Sequence, residues 1–381
     1  KTGRNKPAHF YKIHINTQKN SPDVVEEGLA DFNGSNGTIV KIYLEAKITG
    51  GKQSVDEYLF QTAVANPHVD ISYISPEGKQ IQYSRVIKKL PQEPKEIKPH
   101  PYGVELGVLM KMLSASSSKK IVGFLSSDFC RVGRTVAKQI LDKAEISYDA
   151  WTKRILRQEA EKLYRAINST KIMAPPTDCI SPIGEQEIVK SLKKMIKADF
   201  YAAISRRPAV YRGNPFQLEM GIAYGGSLPA DGLVEVYRFA NRVPLLYQRS
   251  ACVISGAVGD MNWKSYGLSQ SKGALPSGPM IIMVHMASVW VPFTSESKEA
   301  IAHYPEIEKE VKLAAQECGR KLQSHINKVQ RTQEAIKKRT YMEKYVKHIG
   351  YALQEILQFN DKRVDKINKS LHKILNRSTQ V

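Results

Sequence analysis

Lys298 is the side chain whose position most favours contact with a phosphate. It ends the short loop Pro292-Phe-Thr-Ser-Glu-Ser-Lys298, which follows an apolar segment at residues 280–291. A loop of this kind can hold an ammonium group against a phosphate supplied by another domain, because a charged donor binds an anionic oxygen strongly. A lysine in such a loop is more often simply solvated. Spacing alone therefore leaves both interpretations open.

A second candidate is the string Trp263-Lys-Ser-Tyr266, in which two aromatic residues enclose one lysine. Aromatic rings and a cation together can grip a DNA backbone. The alternative is that Trp263 and Tyr266 are buried with Lys264 outside, because large aromatic side chains usually pack in cores. From the residues alone the second interpretation is the more common one.

Three cations, Arg131, Arg134 and Lys138, surround a turn that contains Gly133 and joins two helical segments. With Lys119 and Lys120 nearby in sequence, they form a candidate phosphate-binding surface. A charged turn is more often only solvated. The choice depends on whether the whole chain is built to meet a polyanion.

The pair Gly37-Thr38 precedes a segment that is rich in β-branched residues, at residues 38–44. Glycine lets a backbone approach a ligand closely, and a threonine hydroxyl can join a hydrogen-bond network around a nucleotide. Such a pair before a strand is usually only a turn. A nucleotide contact here needs support from elsewhere in the sequence.

The chain is strongly basic. Its 381 residues include 57 Lys and Arg against 37 Asp and Glu, which gives a net charge of +20. This surplus favours a polyanionic partner such as nucleic acid or acidic lipid, while a surplus that only maintains solubility is the alternative. Hydrophobic residues at 42% and charged residues at 25% are typical of a folded chain and argue against general disorder.

The four cysteines are widely separated and lack both a CxxC pair and a histidine at metal-ligand spacing. Neither a zinc site nor a disulfide framework is indicated, which suits a reducing cytoplasm. The apolar residues 280–284 are too few to cross a bilayer, which needs ~20 residues. We expect a cytoplasmic protein with no signal peptide and no membrane partner. Contact with a membrane surface is a minor alternative, through the cations of the final helix: Lys337, Lys338, Arg339, Lys344 and Lys347.

The elements that position these residues are predicted from periodicity and turn signals. Residues 1–90 read as strands with one helix, namely strands at 9–15 and 38–44, a helix capped by Ser54 that ends before Pro67, and a hairpin around Pro76-Glu-Gly78. Four prolines within residues 91–103 predict a linker. The remaining predicted regions are a helical module at 104–174, an α/β domain at 175–303 and one or more long helices at 304–381.

Several strings resemble the B subunits of topoisomerase VI, the type IIB DNA topoisomerases of archaeal type, and the resemblance runs almost end to end. They are Lys95-Glu-Ile-Lys-Pro-His-Pro-Tyr-Gly103, Pro175-Pro-Thr-Asp-Cys-Ile-Ser-Pro-Ile-Gly-Glu185, Arg238-Phe-Ala-Asn-Arg-Val-Pro-Leu-Leu-Tyr-Gln248 and Val291-Pro-Phe-Thr-Ser-Glu-Ser-Lys298. The resemblance implies an α+β multidomain fold. Its parts would be the C-terminal part of a GHKL ATPase sandwich at 1–90, a helix-two-turns-helix module, a transducer domain and a stalk helix.

The resemblance also implies roles for the candidate residues. Lys298 matches the family's switch lysine, which senses the terminal phosphate of ATP. Gly37 and Thr38 resemble the last box of the family's nucleotide pocket. The Trp-Lys-x-Tyr motif and the helical module would contact DNA, through Trp263, Lys264, Tyr266, Arg131, Arg134 and Lys138. Lys52 follows two glycines where the family is expected to carry a more basic loop, so a DNA contact there is predicted to be weaker or displaced to Lys47.

The resemblance implies ATP and Mg²⁺ as cofactors. We assign them to a longer protein, because the main nucleotide-binding boxes are not found in this sequence. We therefore expect no metal ligand in this chain and no ATP hydrolysis by it alone. The implied partners are double-stranded DNA, the A subunit of topoisomerase VI, and a second copy of the B subunit that dimerises with ATP. Two A and two B subunits would form a heterotetramer that passes one duplex through another. A DNA-binding scaffold with no nucleotide link is one alternative. Another GHKL ATPase, related to gyrase B or to mismatch-repair ATPases, is a second.

Overall fold

The computed structural model of the chain describes residues 1–16, 21–34, 36–358 and 360–378, without the side chains of Lys347 and of residues 374–378. The chain divides into two compact units, Lys1–Thr49 and Gly50–Val381. Each unit is described by itself. Ser35, in the predicted turn at residues 33–37, lies outside the described residues.

The first unit contains one antiparallel hairpin, formed by β1 (Ala8–Asn16) and β2 (Ser21–Ala30). The predicted strand at residues 9–15 is confirmed, and its partner β2 was not predicted. The strand predicted at residues 38–44 is wrong, because these residues have no regular secondary structure. Ile39, Val40 and Ile42 are exposed there. A β-branched segment becomes a strand only beside a partner that supplies hydrogen bonds, and the described residues contain none for it.

The second unit begins with α1 (Val55–Ala65) and the hairpin of β3 (Ile71–Ile74) with β4 (Gln80–Tyr83). The Ser54 side chain accepts a hydrogen bond from the Glu57 amide at 3.2 Å, which caps the first turn of α1. The helix ends before Pro67, since the residue ahead of a proline avoids helical backbone angles. The predicted helix and hairpin are confirmed.

Four helices form the helical module: α2 (Leu106–Ala115), α3 (Ile121–Asp128), α4 (Arg134–Ala144) and α5 (Arg157–Ser169). Their apolar faces share one buried cluster that includes Phe124, Ile140 and Leu163. Tyr102 ties the preceding proline-rich segment to the end of α5, because its hydroxyl donates to the Thr170 carbonyl at 2.5 Å. The predicted helical character of this region is confirmed.

The main sheet of the second unit has six strands, antiparallel except for the parallel pair β8 and β12, in the order β5-β7-β12-β8-β9 with β6 also beside β7. These strands are β5 (Phe200–Ser205), β6 (Ala209–Tyr211), β7 (Asn214–Tyr224), β8 (Glu235–Ala240), β9 (Val243–Pro244) and β12 (Met280–Ser288). A small separate pair is β10 (Ser269–Gln270) with β11 (Pro276–Ser277). The predicted α/β character of this region is confirmed.

Helices cover both faces of the main sheet. On one face α1 and α6 (Glu185–Met195) share a core with strand residues such as Ala203, Ala223 and Met283. On the other face α7 (Val253–Gly259) and α8 (Pro305–Leu357) pack on residues of opposite parity such as Ile204, Ile222 and Ile282. The alternation along each strand is what a sheet buried on both sides requires. Helix α1, which precedes the predicted boundary at residue 90, thus shares a core with the sheet that follows it. The predicted boundaries at residues 90, 103, 174 and 303 stay predictions.

Helix α8 has 53 residues and only its first part lies in the core. Its buried residues in that part are Ile307, Val311, Ala314, Ala315, Cys318, Leu322 and Ile326. After Gln358 the chain turns back, and α9 (Asp361–Ser378) packs against the end of α8 through Val346 and Val364. The long predicted helix is therefore confirmed and is followed by a second one. Across the described helices, none has the length and apolar character that a membrane span requires.

Candidate phosphate and nucleic-acid contact sites

The Lys298 loop begins where β12 leaves the sheet. The ends of the loop are joined by a bridge between Phe293 and Ile301, and the Ala302 amide donates to the Pro292 carbonyl at 2.7 Å. Inside the loop the Thr294 amide donates to the Ala300 carbonyl at 2.9 Å. These bonds form a closed loop whose shape does not depend on the Lys298 side chain.

Lys298 itself lies in the left-handed region, with φ of 57°. A residue with a Cβ atom adopts this region at a cost of about 1 kcal/mol, so the surrounding bonds must hold it there. The Lys298 amide donates to the Ser295 carbonyl at 3.1 Å, and its side chain is exposed. No ion pair or hydrogen bond of its ammonium group is recorded within the described residues. The loop thus presents one unpaired cation on a closed backbone.

The Trp263-Lys-Ser-Tyr266 string forms one turn of 3₁₀ helix that is fixed to the core. The Trp263 indole is fully buried, and its Nε1 donates to the Val258 carbonyl at 2.8 Å. A direct contact between this indole and DNA is therefore a wrong prediction, because a buried ring with a satisfied N–H cannot reach a backbone outside. The indole instead anchors the turn that carries Lys264.

Tyr266 seats the same turn on helix α8. Its ring lies edge-on to Trp263, with 6.1 Å between ring centroids, and packs where Gly319 leaves room for it. The Gln323 side chain adds a hydrogen bond to the Ser265 carbonyl at 2.7 Å. Tyr266 is only partly exposed and Lys264 is exposed. Of the motif, Lys264 is the side chain best placed to meet a phosphate.

The helical module exposes all three of the predicted cations. Arg131 has φ of 62°, and its Nε donates to the Ala174 carbonyl at 3.0 Å. Arg134 begins α4, and Lys138 lies one turn later on the same face, with its ammonium 5.4 Å from the ring centroid of Tyr148. Arg134 and Lys138 can therefore contact neighbouring phosphates, whereas one N–H of the Arg131 guanidinium is already used in the hydrogen bond to Ala174.

Trp151 is a further candidate that the sequence patterns did not predict. Its indole is 48% exposed, and two cations lie near its ring, Lys120 at 4.9 Å and Arg154 at 5.9 Å from the centroid. A backbone bridge between Lys120 and Trp151 fixes the arrangement. The signal in the sequence was the string Trp151-Thr-Lys-Arg154, because an aromatic beside two cations is a common composition of nucleic-acid surfaces.

Lys52 forms an ion pair within the second unit, with its Nζ 2.6 Å from Glu235 Oε1. Because 70% of the Lys52 side chain is exposed, the pair is weak. A DNA contact by Lys52 would have to compete with this carboxylate, and such a contact stays a prediction. Gly37 and Thr38 belong to the first unit, where Gly37 has φ of 150° and its amide donates to the Lys1 carbonyl at 2.9 Å. Their role at a nucleotide stays a prediction.

A buried polar network under α1 and α6 was also missed. Glu219 of β7 and His285 of β12 are both fully buried, with Oε2 and Nδ1 2.9 Å apart. The same carboxylate accepts hydrogen bonds from the amides of Ile183 and Gly184 at 2.7 and 2.8 Å, and from the Ser205 hydroxyl at 2.7 Å. Glu219 thus joins two strands to the start of α6.

Arg242 extends this network to α1. Its amide donates to His285 Nε2 at 3.0 Å, and its guanidinium donates to the carbonyls of Pro182 and Ala65 at 2.8 and 3.3 Å. Burial raises the pKa of Glu219, but its hydrogen bonds with His285, the Ser205 hydroxyl and the Ile183 amide lower the pKa below its ordinary value. Glu219 is therefore held as a carboxylate.

The described residues contain no group of three or more His, Cys, Asp and Glu that could hold a metal ion. The four cysteines are free thiols, and three of them are buried. The site residues therefore offer cationic and hydroxyl donors, which suit anionic oxygens.

Comparison with known proteins agrees with these features. The family described as "Topoisomerase VI B subunit, transducer" matches residues 175–338, which contain the main sheet, the Trp263 turn and Lys298. The crystal structure of the B-subunit of the DNA gyrase from Myxococcus xanthus aligns with a TM-score of 0.23 at 16% identity, over 32% of this chain and 34% of that one. That similarity is too low to carry any argument.

Two relatives, both named as the B subunit of type 2 DNA topoisomerase 6, align with nearly the whole chain. The protein from Methanosarcina acetivorans is 43% identical over 98% of this chain and 60% of its own length. The chain thus spans about 60% of that relative. The protein from Saccharolobus islandicus is 33% identical over 98% of this chain and 71% of its own length. The chain therefore belongs to the family of the B subunits of type 2 DNA topoisomerase 6.

Proposed function

We propose that this chain supplies DNA contacts and a phosphate-sensing lysine to an ATP-dependent type 2 DNA topoisomerase. The observation that carries the proposal is that Lys264 and Lys298 stand exposed on turns that the main sheet and α8 hold in place, in a chain of this family. Both turns are fixed by backbone bonds and buried anchors. A cation on a fixed turn loses little conformational entropy when it meets a phosphate.

The DNA-contacting surface that we propose centres on Lys264, with Arg134 and Lys138 of the helical module as a second contact. Tyr266 packs against α8 and supports the turn that carries Lys264, and the buried Trp263 holds this turn in place. Phosphate contacts of this kind are independent of sequence and strongly dependent on salt. The partner in this proposal is double-stranded DNA.

For Lys298 we propose contact with the terminal phosphate of ATP in the longer protein. The exposed ammonium on a closed loop fits an anionic oxygen. A nucleotide contact by Gly37 and Thr38 is a separate proposal that rests on the family resemblance. ATP supplies the phosphate whose loss Lys298 would report. The Mg²⁺ ligands would belong to the longer protein, and we propose none in this chain. We propose two protein partners. One is the A subunit, which would cut and pass the DNA, and the other is a second copy of the longer B subunit. The proposed location is the cytoplasm.

The first test is duplex DNA binding by this chain across a salt series. Replacing Lys264 by alanine should weaken binding and lower the slope of log affinity against log salt by about 1, which is the loss of one phosphate contact. Lys79→Ala is the matched control, since Lys79 is an exposed lysine on the β3–β4 hairpin with no proposed role. Equal effects of the two substitutions would refute a specific contact at Lys264.

The second test uses the longer protein with its nucleotide-binding half and its DNA-cleaving partner. Lys298→Ala should lower ATP-dependent strand passage by at least about 10-fold, which corresponds to about 1.4 kcal/mol of lost phosphate contact. Glu296→Ala, an exposed residue of the same loop, should leave the rate unchanged. If Lys298→Ala left strand passage intact while Lys264→Ala still weakened DNA binding, the chain would act as a DNA-binding scaffold with no link to the nucleotide.

A further inference from the structure

A groove of about 850 Å³ runs along the free edge of the main sheet, between α6 and α8. Its floor is strand β5, with Tyr201 and Ala203 in the middle. One wall is the α6 face that carries Lys190 and Lys193, and the opposite wall is the α8 face that carries Arg320. The groove uses none of the residues assigned to DNA or ATP above.

The floor of the groove is an open strand edge. The Arg206 amide donates to the Leu218 carbonyl of β7 at 2.8 Å, and alternate residues of an antiparallel strand bond to the same neighbour. By this alternation, Tyr201, Ala203 and Ser205 direct their amides and carbonyls away from β7. These outward groups are where a further strand would pair.

Two charged side chains occupy part of this edge. Lys321 Nζ donates to the Ala203 carbonyl at 2.7 Å, and the Ser205 amide donates to Glu185 Oε1 at 2.8 Å. Charged groups of this kind protect an edge strand against unspecific pairing. In the part of the chain that the structure describes, the amides of Tyr201 and Ala203 have no recorded acceptor. The middle of the edge therefore stays available for a selected partner.

The charge of the walls selects that partner. Lys190 and Lys193 on α6 and Arg320 on α8 are exposed, and Lys321 adds a fourth cation, against the single carboxylate of Glu185. An added strand points successive side chains in opposite directions, so neighbouring acidic residues of one peptide would face the two basic walls in turn. The apolar floor favours a peptide backbone over a phosphodiester chain, which has no alternating donors and acceptors to match an open edge.

We propose that this groove binds an extended acidic peptide segment of another protein, which adds to β5 as an edge strand. The peptide backbone pairs with Tyr201 and Ala203, and its carboxylates meet Lys193 and Arg320. Lys321 exchanges the Ala203 carbonyl for a carboxylate of the peptide. This interaction is independent of the roles proposed above for Lys264 and Lys298.

The test is fluorescence anisotropy of this chain with a labelled peptide of about ten residues that carries a run of aspartates between valines and threonines. Lys193→Glu and Arg320→Glu should each weaken binding by about 10-fold, because each reverses one partly shielded charge contact. Lys79→Glu is the matched control, with the same charge change on an exposed hairpin, and should have little effect.

Backbone pairing is tested separately from charge. N-methylation of the peptide amides that face β5 should abolish binding, whereas N-methylation of the alternate amides should not. Hydrogen exchange of the Tyr201 and Ala203 amides should slow when the peptide binds. Absence of peptide binding, or binding that N-methylation at either set of amides leaves unchanged, would overturn the proposal. The proposal would also be overturned if duplex DNA displaced the peptide and if Lys193→Glu and Arg320→Glu weakened DNA binding equally. The groove would then be a DNA-binding site.

Discussion

Gly319→Ala tests whether helix α8 and the Trp263 turn are packed as described. An alanine in the interior of a helix normally stabilises it by about 1 kcal/mol relative to glycine. At Gly319, however, an added Cβ would lie 2.8 Å from two atoms of the Tyr266 ring. Overpacking of this kind costs about 1–3 kcal/mol. We therefore expect a net destabilisation of up to about 2 kcal/mol, opposite in sign to the effect of helix propensity alone.

Two further variants isolate the contact. In the Tyr266→Ala background the ring is gone, so Gly319→Ala should become neutral or stabilising by up to about 1 kcal/mol. Gly256 lies within α7 with no heavy atom inside 4 Å of an added Cβ, so Gly256→Ala should stabilise in either background. The difference between the two Gly319→Ala measurements, about 1–3 kcal/mol, is the coupling between the two positions.

The assay is urea unfolding followed by tryptophan fluorescence. Trp263 is fully buried at 6.1 Å from the Tyr266 ring, so its emission reports on this part of the core. The same proteins should be tested for DNA affinity, because displacement of Tyr266 also displaces Lys264. A stabilising Gly319→Ala in the unchanged background would show that the ring does not pack there, and the argument for a fixed Lys264 would fail with it.

Three other substitutions test separate parts of the structure. Glu219→Gln should destabilise the fold by about 3 kcal/mol at neutral pH. Because the pKa of Glu219 is lowered in the folded state, this difference in stability should be complete above the ordinary pKa of 4.5 and should shrink as pH falls through the lowered pKa. Unfolding measured at a series of pH values checks this. Gly213→Ala, at φ of 73° with an added Cβ 2.6 Å from a backbone nitrogen, should lower the melting temperature more than Gly232→Ala, where φ is 113° and the space is open. Lys52→Ala should change the unfolding free energy by less than about 1 kcal/mol, because the ion pair of Lys52 is exposed, and a larger change would show that this loop matters more than its exposure suggests.

Local signals in the sequence were sufficient for most elements of the second unit. Ser54 and Pro67 delimit α1, and the spacing of apolar residues gives the start of α8. Each of these signals acts within a few residues of the element that it forms, so no distant partner is needed to interpret it. The resemblance to a family then placed Lys298 and Lys264 in a functional context that spacing alone left open.

The features that were missed depend on partners far along the chain. The segment at residues 38–44 has the composition of a strand, but the described residues give it no neighbouring strand. Burial of Trp263 depends on α8, and the Glu219–His285 pair joins two strands that are 66 residues apart in sequence. The outward edge of β5 follows from its register with β7, which no local pattern specifies.

Helix α8 has the geometry of a lever arm. Its base, up to Ile326, is embedded in the core, and the 31 residues from there to Leu357 extend for about 47 Å at 1.5 Å per residue. Arg206 of the sheet clamps the base through Glu310, at 2.9 Å, and Glu317. A tilt of only about 5° at this fulcrum would swing the far end by about 4 Å. A small rearrangement beneath Tyr266 or around Lys298 that tilted this base would therefore move the far end of the helix by a larger distance.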